Sequence, residues 1–212
     1  MNENNTKRGR FIVFEGIDGS GKSTQISLLE KGLLSQGRRV YRTAEPTETA
    51  VGGLIRETLA GDTKRSACEL ASLFLADRIR HNVNPETGIK HYLESGVDVL
   101  CDRYYYSSFA YQGLDTDLDW VMELNLGCPE VLRPDLCVFL DVDAQRCKER
   151  VDKARLHLEI FEQSGEQLNR IRAKFFDVFE RLKGRENIVV VDAVRTAEEI
   201  SADILKLVLE LQ

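Results

Sequence analysis

The sequence predicts an α/β domain built on a five-stranded parallel sheet flanked by helices. Three observations predict it. Short strand-like runs at 11–14, 38–43, 97–101, 136–140 and 188–191 are separated by helical segments, the alternation expected of a parallel sheet covered on both faces. The first run passes directly into a glycine-rich turn and then a helix. The 212 residues contain no internal repeat or low-complexity linker, and suffice for one core burying roughly two thirds of the unfolded surface.

Residues 11–24, FIVFEGIDGSGKST, organise the chain. Phe11, Ile12, Val13 and Phe14 read as a buried strand. Gly16, Gly21, Lys22 and Ser23 fit G-x-x-x-x-G-K-[ST], with Ile17, Asp18, Gly19 and Ser20 inside the pattern and Thr24 after it. The following helix carries Ile26, Leu28, Leu29, Leu33 and Leu34 and ends at Gly37. The glycines let successive amides turn toward an anion, and the helix start adds free N–H groups. The pattern therefore predicts a magnesium nucleoside-triphosphate site. Lys22 would reach the transferred phosphoryl group and the Ser23 hydroxyl would ligate Mg2+.

The second run stops at Glu45 and Pro46, where an active-site loop would lie. Gly52 and Gly53 lead into a short helix through Leu54, Ile55 and Leu59. Ser66 and Glu69 form a capping box for the next helix, with Leu70, Leu73 and Phe74 on its apolar side. The third run ends at Asp102 and Arg103, and 104–112 enters a helix. A short helix over 119–126 holds the single tryptophan, Trp120. The fourth run leads to Asp141 and a helix from Asp143. Residues 149–155 are too charged for a core, and fit either a crossover above the phosphate site or a solvated turn. Ser164 and Gln167 offer a capping box for a long amphipathic helix through Leu168, Ile171, Phe175, Val178 and Leu182. After the fifth run, Thr196 and Glu199 cap a last helix bearing Ile200, Ile204, Leu207 and Val208. Residues 1–9 are expected to be a flexible extension and 10–212 a single domain with a short mobile lid near 148–156. Functional residues should gather beyond the carboxyl ends of the strands.

A formal net charge of -6 argues against nonspecific nucleic-acid binding by the whole surface. No apolar run approaches a membrane span, and the first ten residues lack the apolar middle of a signal peptide. The five cysteines show no CxxC pair or compact metal pattern, and Cys101 and Cys137 read as small core residues. A reduced, cytoplasmic enzyme is the economical expectation.

Phosphoryl transfer between nucleotides needs a second pocket and cations bridging the two phosphates. Asp18 fits two roles, orienting the acceptor or stabilising the loop as an Asx turn. Asp102 could hold magnesium or its water while Arg103 clamps phosphate oxygens, although a buried ion pair is the rival reading. Phe74 and Arg78 share one helix face and could supply a ring beneath a base and a guanidinium at its carbonyl edge. Taken alone, Phe74 is more often a core residue. Tyr111 and Gln112 could face a base or sugar, or simply pack. The glycine loop has no arginine, so Lys148, Arg150, Lys153 and Arg155 are the candidate clamps, with Arg150 or Arg155 preferred for the bidentate fork.

FxxFEGxDGxGKSTQ at 11–25, Glu45–Pro46, LFLADR at 73–78, DRYYYSSFAYQG at 102–113, PDLxxFLDV at 134–142 and LEIFE at 158–162 together resemble the thymidylate kinase family. The resemblance implies a P-loop nucleotide-kinase fold, transfer of the ATP γ-phosphoryl to dTMP, and a homodimer paired through helices beside the sheet. It further implies that Phe74 stacks on thymine, Arg78 binds its carbonyl edge and Arg103 contacts the dTMP phosphate. Ser108 and Gln112 would lie around the pyrimidine, with Glu45 and Tyr111 also on the acceptor side. Asp18 resembles the family's loop carboxylate, Asp102 its acid near the phosphates and magnesium, and Arg150 and Arg155 its lid arginines. One departure is Ala44, where many bacterial relatives carry arginine before the Glu-Pro pair. Arg42, two residues earlier, would point to the same strand face. A kinase for another nucleoside monophosphate or a deoxynucleoside keeps the cradle but changes the pocket, and a nucleotide-gated interaction module is the non-enzyme alternative.

Overall fold

The computed structural model describes residues 7–147 and 165–211. Its five strands are β1 (Phe11–Glu15), β2 (Val40–Ala44), β3 (Asp98–Asp102), β4 (Leu136–Asp141) and β5 (Ile188–Asp192). All pair in parallel, in the order β2-β3-β1-β4-β5. Every β1 residue is buried, as the central strand of a sheet covered on both faces requires, whereas β2 and β5 form half-open edges. Cys101 and Cys137 sit in the core as expected.

The helices are α1 (Lys22–Ser35), α2 (Ala50–Leu59), α3 (Ala67–Val83), α4 (Ile89–Glu94), α5 (Tyr105–Asp115), α6 (Leu118–Leu126), α7 (Gly165–Leu182) and α8 (Ala197–Leu209). A helical turn at 144–147 leads out of the described residues. α1 packs on α8, while α5 packs against α3, α6 and α7. The spacing over α7 is borne out, with Leu168, Ile171, Phe175, Val178 and Leu182 all buried. Ser164 of its expected capping box lies outside the described residues. The boxes at Ser66–Glu69 and Thr196–Glu199 are both formed.

Three elements differ from expectation. β2 begins at Val40, two residues late, because Arg38 turns instead to a bidentate pair with buried Asp98. α2 begins before the two glycines, at Ala50, capped by Thr49. Gly52 is needed inside that first turn, since a Cβ there would lie 1.8 Å from the Thr47 carbonyl oxygen. α3 buries a polar face: Asp77, Arg78, His81 and Asn82 point inward, while Leu70, Leu73 and Phe74 are only half-buried.

β1 connects through α1 toward β2 on one side, whereas β4 leads to β5 on the other. The carboxyl ends of β1 and β4 therefore flank a topological switch point, where a crevice opens and ligands bind in open α/β sheets.

Candidate active site

The loop after β1 turns at Gly16, whose φ is 145°. A Cβ there would come within 2.6 Å of the Ser20 hydroxyl and 2.9 Å of the Leu140 carbonyl oxygen, so the glycine lets the loop fold against β4. Gly21 caps α1 with no side-chain hydrogen bond, and the first turn contains no acidic residue. α3 and α8 close their termini with capping boxes; α1 leaves its own open to an anion. Lys22 is buried, and its Nζ donates to the carbonyls of Gly16 at 3.0 Å and Ile17 at 3.3 Å. Burial, and then the charge of Arg103, lowers its pKa to about 8.

Ser23 Oγ lies 3.5 Å from Asp102 Oδ2, joining α1 to the end of β3. The other oxygen, Asp102 Oδ1, is buried with no hydrogen-bond partner among the described residues. A hydroxyl and a carboxylate with one orphaned oxygen form a hard donor set that fits Mg2+.

Beside the loop lies a cavity of about 220 Å³. Phe74 and Arg78 enter it from α3, Glu45 and Pro46 from the turn after β2, and Leu59 from α2. The segment after β3 supplies Arg103, Tyr104, Ser107, Ser108, Tyr111 and Gln112, and Asp18 reaches in from the phosphate loop. Arg78 is buried and oriented on four sides. Its Nε donates to Glu45 at 2.9 Å, Nη1 to Asn125 at 2.5 Å and Nη2 to Ser108 at 3.2 Å, and the guanidinium stands 5.1 Å above the Tyr104 ring. Glu45 is held in turn by His81, whose Nδ1 lies 3.0 Å away.

Arg103 has a left-handed backbone, with φ 68°. Its Nη2 pairs with Asp18 at 2.6 Å, Nη1 donates to Ser107 at 3.0 Å, and the guanidinium lies 5.2 Å over Tyr111. Burial pushes the Tyr111 phenol up. The Asp18–Arg103 pair thus stands where the phosphate loop and the cavity meet.

Of the residues expected on the acceptor side, Glu45, Phe74, Arg78, Arg103, Ser108, Tyr111 and Gln112 share this cavity; Asp102 instead faces Ser23. Thr24 is exposed on α1 and Ile17 is buried, contributing its carbonyl. Arg42 does not enter the cavity but pairs with Glu30 on α1 at 3.2 Å, and Ala44 is exposed on the same strand face. Arg150 and Arg155, like Lys148 and Lys153, lie outside the described residues. Sequence reasoning placed Pro46 at the active-site rim but missed Leu59, Tyr104, Ser107 and Asn125. Ser107 was legible from its place beside Ser108, but nothing local marks Asn125, which reaches Arg78 from another helix.

A family model described as thymidylate kinase matches residues 14–204. A "Probable thymidylate kinase" of Pyrococcus abyssi is 40% identical over 207 residues, covering 95% of this chain and 96% of that protein. A "Thymidylate kinase" of Leifsonia xyli subsp. xyli is 42% identical over 202 residues, covering 92% of each. One from Thermosipho melanesiensis is 35% identical over 201 residues, covering 93% of this chain and 96% of its own. With an open phosphate cradle joined to a second pocket, and likeness along nearly its whole length, the chain belongs to the thymidylate kinase family.

Proposed function

We infer that the protein transfers the γ-phosphoryl group of ATP to dTMP, giving ADP and dTDP. An oxygen of the dTMP phosphate forms the new bond to the γ phosphorus as its bond to the β–γ bridging oxygen breaks. The observation that carries the reading is the Asp18–Arg103 contact, which joins a cradle fit for a triphosphate to a pocket lined by an aromatic ring and directed guanidinium groups.

Gly16 to Thr24 would hold the ATP phosphates through their amides, with Lys22 exchanging the Gly16 and Ile17 carbonyls for phosphate oxygens. Ser23 and Asp102 would hold Mg2+, which neutralises charge on the phosphates when bound. Arg103 would take the dTMP phosphate with its fork, and Asp18, now its partner, would keep the guanidinium turned toward the loop. Phe74 would lie against the thymine ring. Arg78 would meet a carbonyl of the base, with Ser108 and Gln112 at the pyrimidine edge and Tyr111 beside the sugar. Glu45 would fix Arg78. The acceptor is already anionic, so no general base is required. The loop carries no arginine, so we assign the remaining transition-state charge to Arg150 or Arg155 of the same domain.

Two copies are proposed to pair through helices beside the sheet, where Leu54 of α2 stands exposed. No helix of the described residues is long and apolar enough to cross a membrane. We assign the enzyme to the cytoplasm. ADP release measured with dTMP, UMP, CMP, AMP and GMP in turn tests the reading: dTMP should be strongly preferred, and equal rates with all five would overturn it. A deoxynucleoside outrunning its monophosphate would do the same.

A further inference from the structure

Glu15, the last residue of β1, is wholly buried beneath the phosphate loop. Its Oε1 accepts from the backbone N–H of Tyr104 at 2.8 Å and of Ser107 at 3.1 Å, and its Oε2 from the Ser107 hydroxyl at 2.6 Å. Those two amides are the ones a capping box serves from within a helix. Tyr104 is the N-cap of α5, and its side chain makes no cap bond. A carboxylate from another strand therefore closes this helix, where negative charge is favoured.

Arg103 is fixed between two anchors on β1. Its own N–H donates to the Phe14 carbonyl at 2.9 Å, and the N–H of the next residue goes to Glu15. These contacts hold a φ of 68°, in the left-handed region that a non-glycine residue rarely adopts. The side chain is aimed by the same carboxylate: the Ser107 hydroxyl donates a hydrogen bond to Glu15 and accepts one from Arg103 Nη1. Burial pushes the Glu15 carboxyl up, and Arg103 is the foremost group drawing it back.

We propose that Glu15 is the positioning residue of the acceptor arginine, holding the left-handed backbone of Arg103 and aiming its guanidinium through Ser107. The inference rests on Arg103 as the ligand of the dTMP phosphate. It ties that clamp to the strand from which the phosphate loop springs, so the two nucleotide sites share one anchor.

The test compares the full chain with Glu15→Gln, Glu15→Ala, Ser107→Ala and the Glu15→Gln/Ser107→Ala double variant. dTMP and ATP are varied separately, and each protein is melted thermally. Glu15→Gln and Ser107→Ala should each lower kcat/KM for dTMP roughly tenfold, with KM for ATP changed by less than about twofold. The double variant should fall no more than about twofold below the poorer single, because both act along one route. Glu15→Ala should be worse than Glu15→Gln; if it does not fold, the other variants still decide. Losses that multiply in the double variant, equal rises in both KM values, or an unchanged kcat/KM for dTMP would overturn the proposal. A wild-type chain that fails to turn over dTMP refutes the dTMP reading itself and the inference with it. Turnover by the wild type, followed by multiplying losses, refutes the inference alone.

Discussion

Arg78 and Glu45 lie 2.6 Å apart with side chains only 1% and 2% exposed. His81 occupies the second Glu45 oxygen through Nδ1, and its Nε2 lies 2.7 Å from Thr43 Oγ1. His81 thus ties Glu45 to Thr43 while Arg78 holds the other oxygen, so neither carboxylate oxygen is left to turn. A buried ion pair adds little to stability over well-packed apolar residues. Its consequence here is rigidity, an arginine whose direction in the cavity is set before any ligand arrives.

Arg78→Ala should raise KM for dTMP at least roughly tenfold while leaving KM for ATP within about twofold. It should also destabilise the fold by about 3–5 kcal/mol, because Glu45 would remain buried without its cation. Kinetics and urea unfolding check both. Equal losses for the two nucleotides would make the residue purely structural.

Lys22 carries a second trade. Its pKa of about 8 in the fold lies below the ordinary 10.5, so the unfolded chain binds more protons between those values. Stability from this group therefore rises as pH climbs from about 8 to 10.5, and below pH 8 the buried charge costs on the order of 3 kcal/mol. Lys22→Met should unfold at higher urea at pH 7 and lack measurable transfer. In the wild type, ATP affinity should be level below pH 8 and weaken above it. Calorimetry near pH 8.5, in buffers of different ionisation enthalpy, should detect proton uptake on binding. No uptake would refute this account.

Asp102→Asn removes the charge of the carboxylate whose Oδ2 lies beside Ser23 and whose Oδ1 has no partner among the described residues. Half-maximal activity should then need roughly tenfold more Mg2+, with KM for dTMP little changed. Titration of magnesium at fixed ATP measures it, and an unaltered requirement would remove Asp102 from the metal site.

Glu186 tests the opposite kind of residue. It accepts from Tyr105 and Tyr106 and pairs with Arg133, joining α5 to the start of β5 away from the cavity. Glu186→Ala should cost about 1–3 kcal/mol by orphaning two buried hydroxyls, and leave both KM values within about twofold. A selective rise in KM for dTMP would show that this cluster positions the site after all.

Much of the fold was legible because its signals are local. The α7 spacing and the capping boxes of α3 and α8 each span only a few residues, and all three are formed. The start of α2 was misread because glycines usually mark helix boundaries; here Gly52 serves a close approach by Thr47 that no neighbouring residue announces. α3 was misread for a related reason. Periodicity favours Leu70, Leu73 and Phe74 as the inward face, but the helix walls a pocket and turns Asp77, Arg78 and His81 inside.

By itself, the order of residues determined the phosphate cradle, the alternation of strands and helices, and the block that carries Arg103, since each depends on neighbours along the chain. Only the tertiary structure decided how the guanidinium groups are aimed. Asn125 meets Arg78 across 47 residues and Glu15 meets Ser107 across 92. Such partners are chosen by the strand order β2-β3-β1-β4-β5, which sets the β3–α5 segment beside the end of β1. A hydrogen bond needs its two atoms within about 3 Å, and closeness of that kind is settled by how the elements pack.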